Sequence, residues 1–468
     1  MKRNLHLVQQ GVYFDQLLDP EDPRYNCGLY LSVRTRRVSM DYEHLETAIK
    51  AFYRQHDAFN IDFDFSDPAN PKCSLDKRLR KKDSRDPLLI TYDYTGRKNA
   101  QEAALKRVHE IFEEPIDLFG EHLAFLYLIK LSKDSFYFVF KFHHIIVDGY
   151  SFIPIIASLY HTYISTKCPS ETLSAARSKA LLSENCGSYY EEIKRSEAYE
   201  KSAQFAADQQ YWRATFKDIP EPLFAKKALD KRGFSTVSRP IDKTLRARLT
   251  QISQERNYSL QKLLTAALLV ILCRLYGKER IVIGIPRHNR VGKRQRKTVG
   301  MFSGVVPFIG RYQSDRSVLD LLKEISLLQR QTYKHGKYPL TRIIRAVRTS
   351  DLRDRTLIDL VVNYEPFTEF EIDSEFVYSR AHRVSGGEGS FPIEVVLSDY
   401  GAKTPMVLKI DYLHAYCKAE EVESLLERLV FVLEQISRSL DKRLSDIKLL
   451  FPEEARELLE TFNDTKVA

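Results

Sequence analysis

The stretch FKFHHIIVDGYSF, residues 140–152, decides how the rest of the chain is read. It closes an apolar run, SFYFVFKF, that begins at Ser135, and it sets two histidines, an aspartate and a glycine within seven residues. The run has the length and aromatic content of a strand. Side chains alternate along a strand, so His144 is expected on one face with Phe142, Phe140 and Phe138. His143 then falls on the other, with Lys141, Val139 and Tyr137. Two imidazoles on opposite faces do not serve one pocket, so one is expected to act and the other to support it. Asp148 comes four residues after His144. A strand-turn-helix here either returns the carboxylate beneath the histidine or holds the loop by pairing with an arginine elsewhere. Gly149 permits backbone angles, or a close approach, that a Cβ would block. The helical spacing of Phe152, Ile155, Ile156, Leu159, Tyr160 and Tyr163 predicts a helix over 151–166, whose first amides and positive dipole end face the same spot. A lone histidine at a strand end is usually structural. The composite HHxxxDG, between a buried strand and an amphipathic helix, is far more specific and points to a functional site.

Outward from this stretch, strand-like and helix-like segments alternate, which predicts an α/β or α+β chain. LAFLYLIKL (123–131) pairs with the strand before the histidines through a hairpin turn at Lys133-Asp134. DYEHLETAIKAFYRQH (41–56) places Leu45, Ala48, Ile49, Phe52 and Tyr53 on one helical face. Residues 167–190 mix Pro, Ser and Gly without a strong period and are the candidate lobe boundary. Beyond them come a charged helix over 190–216, a buried helix over 260–277 and the strand RIVIGIP (280–286). Further strands are expected at 357–367, 391–400 and 405–413, and a long amphipathic helix at 419–440. The end, FPEEARELLETFNDTKVA, is polar and reads as a connector.

The composition, 468 residues with 43% hydrophobic and 29% charged, is that of an ordinary folded chain of two to four domains. No run approaches the roughly 18 to 20 apolar residues of a membrane span. The N-terminus lacks the apolar core and cleavage site of a signal peptide, so a cytoplasmic chain is expected. The cysteines at 27, 73, 168, 186, 273 and 417 form no CxxC pair and lie at no zinc-ligand spacing, so neither a metal site nor a cysteine nucleophile is expected. The formal charge of +9 is partly local, in DKRLRKKDSR (76–85) and RHNRVGKRQRK (287–297). Each is either a solvated loop or a dock for an acidic partner or phosphate. Without interleaved aromatics or a binding motif, neither reads as a nucleic-acid site.

His143-His144-Ile145-Ile146-Val147-Asp148-Gly149 resembles the HHxxxDG signature of the condensation domains of nonribosomal peptide synthetases. The resemblance covers nearly the whole chain. HLVQQGVYFDQLLDPEDPRYN (6–26) is similar to the family's opening segment. FYRQHDAF (52–59) resembles its RHExLR element, with Asp57 for the usual glutamate, and DQQYW (208–212) matches a segment before the second lobe's first strands. RIVIGIPRHNR resembles a strand ending in Gly-Arg, with Asn289 for the glycine and Arg290 aligned to the arginine. VGMFSGVVPF (299–308) is similar to VGxFVNTLPL, with Gly304 where asparagine is expected. HGKYPL (335–340) resembles QDYPFE, and LLETFNDT the linker into an adenylation domain.

The resemblance implies an α/β fold of two chloramphenicol-acetyltransferase-like lobes forming a V-shaped pseudo-dimer. The expected division is 1–178, 179–450 and a connector from 451 to 468. It implies a tunnel between the lobes and an amide-forming reaction of a thioester-bound acyl or peptidyl donor with a carrier-bound aminoacyl acceptor. His144 and Gly149 would take catalytic positions, His143, Asp148 and Arg290 supporting ones, with Asp148 paired to Arg290. Tyr150, Ser151, Ser303 and Gly304 would line the tunnel. No cofactor or metal is expected on the protein itself; substrates would arrive on the phosphopantetheine of donor and acceptor carrier proteins, or on CoA for a starter donor. The other implied partner is a following adenylation domain, with no nucleic acid, no membrane and a monomeric chain. The resemblance starts close to Met1, and VVNYEPF (361–367) is similar to starter examples, so attachment of a first acyl group is slightly favoured over receipt of a peptide. An epimerisation domain shares the double histidine but typically has tryptophan after the motif's serine, where this chain has Phe152. A heterocyclisation domain carries aspartates in place of the histidines. A stand-alone acyl-CoA transferase of the plant type has a DFGWG motif that is missing here. A docking module with a dead site would not keep HHxxxDG intact.

Overall fold

The structure is a computed structural model. It describes residues 2–36, 40–75, 88–167, 187–226, 233–347, 356–366, 371–373, 377–385, 391–399, 401 and 404–457. The basic segment 76–85 and most of the candidate lobe boundary, 168–186, therefore lie outside the described residues.

In the first half the elements run β1 (Arg3–Asn4), α1 (Leu7–Gln16), β2 (Asn26–Thr35), α2 (Tyr42–Gln55), β3 (Ile61–Asp64), β4 (Lys72–Leu75) and β5 (Leu88–Asp93). Then come α3 (Ala100–Glu113), β6 (Ala124–Lys130), β7 (Ser135–His143) and α4 (Phe152–Lys167). The hairpin between β6 and β7 forms as expected, Lys130 opposite Phe136. β7 is buried on both faces, which explains its near-continuous apolar sequence. Phe136, Phe138, Phe140 and Phe142 pack with Leu45, Ile49 and Phe52 of α2 and Ile155, Ile156 and Leu159 of α4. Tyr137 and Val139 face the opposite way, against Ala104, Val108, Ile111 and Phe112 of α3.

The second half runs α5 (Tyr189–Glu200), α6 (Ala203–Thr215), β8 (Phe234–Pro240), α7 (Lys243–Arg256), α8 (Leu260–Leu275), β9 (Arg280–Arg287) and α9 (Gly292–Arg296). It continues with β10 (Gly304–Arg311), α10 (Val318–Lys334), α11 (Leu340–Val347), β11 (Leu360–Pro366), β12 (Glu371–Asp373) and β13 (Val377–Ser385). β14 (Ile393–Asp399), β15 (Val407–Leu413), α12 (Ala419–Arg438) and α13 (Pro452–Arg456) complete it. The single charged helix expected over 190–216 is instead two helices. Ser202 breaks it, its hydroxyl accepting from the amide of Phe205 to start α6.

A six-stranded sheet, β10-β9-β11-β14-β15-β8, forms the second lobe. Helices α8, α10 and α12 bury one of its faces, while Trp212, Ile343 and Ile358 pack near Val282, Val306 and Val361 on the other. The first lobe's sheet has the order β12-β13-β2-β7-β6-β5. Two of its strands thus come from the second half of the chain. β13 lies antiparallel to β2 over Val377–Ser385, with Val377 opposite Thr35 and Ser385 opposite Cys27. This crossover ties the lobes together through backbone hydrogen bonds, and it places the end of β7 beside segments of the second half.

Candidate active site

β7 stops at His143, and the chain turns sharply. The His143 amide donates to the Leu123 carbonyl at 2.8 Å, the His144 amide to the Tyr25 carbonyl at 2.8 Å, and the Ile146 amide back to the His143 carbonyl at 3.1 Å. The turn is pinned from α1 as well, where Gln9 Nε2 donates to the Ile145 carbonyl at 2.7 Å.

The two histidines have different surroundings. His143 is 1% exposed. Its Nδ1 accepts from the Ile145 amide at 3.1 Å, and the Tyr25 ring stacks beside it. Burial, reinforced by neighbouring His144, pushes it down to about 3, so the ring is neutral. His144 is only partly buried, with Nδ1 3.2 Å from Met301 Sδ and the Tyr25 ring edge-on to it.

Asp148 and Arg290, 142 residues apart, form an ion pair of 2.6 Å with both side chains at 0% exposure. Of the two dispositions open for Asp148, pairing with an arginine is the one observed. Burial alone would raise its carboxyl; the guanidinium and the Phe302 amide outweigh that and hold it below the usual carboxylate range. Asp148 Oδ2 also accepts from the amides of Phe302 and Ser303, each at 3.0 Å. Its Oδ1 accepts from the Ser151 amide at 3.0 Å and the Ser151 hydroxyl at 2.9 Å. The guanidinium lies over the rings of Tyr150 and Phe302 and reaches the Gly300 carbonyl at 3.1 Å. Asn289, standing for the expected glycine before this arginine, has φ of 50°, a left-handed conformation that asparagine tolerates better than most residues.

Gly149 lies on the open side of the turn. It is exposed, and a Cβ built on it would meet no atom within 4 Å. Tyr150, Ser303 and Gly304 are partly buried around the same turn and the start of β10. Ser151 corrects the expectation of a tunnel-wall residue. It is fully buried, and its hydroxyl sits inside the clamp, 2.9 Å from both Asp148 Oδ1 and the Gly300 carbonyl, which share its one proton. Gly304 opens β10; a Cβ there would make ordinary contacts with Asn289 at 3.5 Å and Val8 at 3.9 Å. Of the basic segment 287–297, Arg290 is consumed by the clamp, and Lys293, Arg294 and Arg296 are exposed.

Sequence reasoning missed several participants. Met301 touches His144, Tyr189 donates its hydroxyl to the Met301 carbonyl at 2.6 Å, and Asp57 caps the helix that carries Tyr189, accepting from its amide at 2.7 Å. Gly300 must be glycine here, since a Cβ would fall 2.1 Å from the Tyr189 ring. The RHExLR-like and VGxF-like segments were the only signal for these contacts. Among the described residues no cluster of three His, Cys, Asp or Glu side chains is arranged to hold a metal ion, and no single helix is long and apolar enough to cross a membrane.

The condensation domain family matches residues 2–459 of this sequence. The chain belongs to the condensation domain family. These domains form amide bonds in nonribosomal peptide synthetases. Curated relatives include the dimodular nonribosomal peptide synthase of Bacillus subtilis, 23% identical over 464 residues, covering 98% of this chain and 18% of that protein. Tyrocidine synthase 3 of Brevibacillus parabrevis is 24% identical over 97% of this chain and 7% of its own length. The condensation domain thus spans less than a fifth of either relative. Among solved structures, a variant of the starter condensation domain of rhizomide synthetase in complex with C8-CoA superimposes with a TM-score of 0.80 at 20% identity, over 96% of this chain and 98% of that one. The first condensation domain of the calcium-dependent antibiotic synthetase, in complex with a substrate analogue, gives 0.78 at 19% identity, over 96% of this chain and all of that one. This likeness establishes the fold of two chloramphenicol-acetyltransferase-like lobes for the condensation domain described here.

Proposed function

We propose that this domain joins a thioester-bound acyl donor to the amine of an aminoacyl acceptor held on a carrier protein, and that His144 is the residue at the reacting centre. The nitrogen attacks the thioester carbonyl, the C–N bond forms, the C–S bond breaks, and the proton lost from nitrogen goes to the departing thiolate. The substrate brings its own nucleophile, so the protein's task is to position the amine and handle a proton. One observation carries this reading. Of the motif's ionisable side chains, His143 and Asp148 are buried, Asp148 together with Arg290, while His144 alone is partly exposed; Gly149, in the same turn, is exposed with open space in front of it. In this reading Gly149 leaves room for the acceptor arm, Tyr150, Ser303 and Gly304 line its path, and His143 supports the turn. The two lobes are taken as 1–178 and 179–450, with 451–468 leading toward an adenylation domain.

Donor and acceptor would arrive on the phosphopantetheine arms of two carrier proteins, to a monomeric cytoplasmic domain. Within this reading we favour a starter role, with acyl-CoA or an acyl carrier as donor. VVNYEPF (361–367) and the C8-CoA held by the rhizomide starter domain support it. The test is mass spectrometry of an aminoacyl-loaded acceptor carrier after incubation with acyl-CoA, acyl-carrier and peptidyl-carrier donors. N-acylated product from the wild type and a loss of about a hundredfold or more in His144→Ala are expected. Full turnover by folded His144→Ala would overturn the assignment, and product from peptidyl donors alone would overturn the starter role.

A further inference from the structure

Helix α12 covers one face of the second-lobe sheet, and the chain that follows it folds back along it. The Lys448 backbone exchanges two hydrogen bonds with the Gln435 side chain, at 2.8 and 2.9 Å. Three residues on, the Phe451 ring packs on Phe431 with centroids 5.1 Å apart. After three more, Arg428 holds the Glu454 carboxylate through bonds of 2.6 and 2.9 Å. The contacts thus step back along α12, from 435 to 431 to 428, as the chain advances from 448 to 451 to 454. We propose that the next residues keep this antiparallel register: Leu458, Leu459 and Phe462 dock in an apolar groove between the first half of α12 and the end of α8, and so fix where the chain leaves the domain.

The groove begins where Arg428 stands. Its walls include Val422 and Leu425 from α12, Leu275 and Tyr276 at the end of α8, and Phe224, around about 380 Å³ of open space. Leu275 and Tyr276 are 51% and 44% exposed. Single apolar side chains at a surface need no explanation, but adjacent ones lining a groove mark an interaction site. The Phe224 ring meets Tyr276 edge-on at 5.7 Å and steadies that wall. The reach is adequate. From Arg428 to Val422 is about 9 Å of helix at 1.5 Å per residue. From Glu454 to Leu459 is about 7.5 Å along a helix and up to about 17 Å along an extended chain, so the leucine pair arrives there in either conformation.

The sequence that follows the described chain suits this seat. Ala455, Leu458, Leu459 and Phe462 fall at the i, i+3, i+4, i+7 spacing of one helical face, whereas Glu453, Glu457 and Glu460 fall opposite. Extending α13 by two turns would turn the apolar residues toward α12 and α8 and leave the carboxylates in water. The start of that helix is already fixed. Pro452 opens it, the Phe451 amide donates to Glu454 Oε2 at 2.8 Å, and Glu454 is paired with Arg428. A second copy of the chain is the poorer occupant. Arg428, at the groove's edge, is already engaged by Glu454 and the Leu449 carbonyl of its own chain, and the tethered leucines arrive at high effective concentration. None of these residues takes part in the Asp148–Arg290 clamp, so the seat forms whatever chemistry His144 performs.

The test is a disulfide trap in the full chain. Ser424 lines the groove on α12, and the register brings Leu458 opposite it. Ser424→Cys/Leu458→Cys, oxidised with diamide and mapped by peptide mass spectrometry, should close an intramolecular bridge, which requires Cα atoms within about 7 Å. Lys323→Cys/Leu458→Cys is the control and should not close. Lys323 is exposed on α10, which meets the far end of α12 through the bond from the Leu319 amide to the Leu440 carbonyl. Bridges between molecules would assign the groove to a second copy. Bridging of neither pair, or of both equally, would show that the segment has no seat there. Any of these results overturns the inference. Leu458→Asp/Leu459→Asp, and from the other side Tyr276→Ser, should each lower Tm by about 2 to 5 °C. The three substitutions together should lower it no further than the larger of the two effects, since both remove one contact. Unchanged Tm in both variants, or losses that add, would likewise overturn it.

Discussion

Replacing Arg290 with methionine isolates the cost of stranding the Asp148 carboxylate. Both side chains are wholly buried and the closest contact is 2.6 Å, so the guanidinium cannot be replaced by water without rearrangement. At a charge separation near 4 Å and an effective dielectric of 20, the direct attraction is about 4 kcal/mol. Removing one partner of a buried pair typically costs about 3 to 5 kcal/mol, because the other charge stays behind. Asp148 would keep donors from Ser151, Phe302 and Ser303, which places Arg290→Met near the low end, about 3 kcal/mol at pH 7. The penalty should depend on pH with a definite sign. In the wild type the Asp148 pKa is depressed, so its contribution is present above the unfolded value near 3.9 and fades only as pH falls below it. In Arg290→Met the burial remains and the cation is gone, so the folded-state pKa rises from its wild-type position. The variant then gains on the wild type as pH falls through that raised value. Urea unfolding read by the single tryptophan, Trp212, buried in the second lobe, and by far-UV circular dichroism measures both quantities. Coincident transitions are the check on two-state behaviour. In a double-mutant cycle with Asp148→Asn, a coupling of about 2 to 3 kcal/mol is expected. A variant within about 0.5 kcal/mol of wild type at pH 7, or a penalty that does not shrink as pH is lowered into the carboxylate range, would refute the account of the clamp.

Two further substitutions probe the same strand and turn. Lys141 is 2% exposed, its ammonium donating to the Glu114 carbonyl at 2.6 Å, and burial pushes it down to about 8. Lys141→Met should therefore be at least as stable as wild type at pH 7, since Asn26 still donates to that carbonyl at 2.7 Å. The folded wild type binds fewer protons than the unfolded chain between pH 8 and the unfolded value near 10.4, so it should gain roughly 3 kcal/mol on the variant across that window in chemical denaturation; a flat difference would show that the lysine is not desolvated. Gly149→Val adds a side chain where a Cβ meets nothing within 4 Å, at a φ that is not left-handed. Its Tm should be unchanged while amide formation falls severalfold, chiefly through the acceptor KM. Wild-type kinetics would show that no substrate passes there.

What the sequence disclosed, and what it withheld, follows from how far apart in the chain the interacting groups lie. Alternation along β7 depends on neighbours alone, and the face assignments from Phe136 to Phe142 could be read directly. The hairpin before it and the apolar helix at Leu260–Leu275 were legible for the same reason. The break at Ser202 carried a local signal too, a residue favoured as a helix cap, which the continuous charge pattern on both sides concealed. The crossover of β13 onto β2 pairs residues about 350 positions apart, and no periodicity specifies which exposed strand edge a segment will join. Asp148 illustrates the same limit within the site. Its residues left two dispositions open, and only resemblance named Arg290. The physical choice belongs to the folded state: a carboxylate that must be buried to fix the turn needs a cation and several donors, and these converge only when the second half supplies Arg290, Phe302 and Ser303 together. The loop that supplies them also carries the sulfur that meets His144. His144, the proposed reacting residue, comes from one half of the chain and the loop that meets it from the other, so perturbing the contacts between the lobes should alter amide formation before it alters either core.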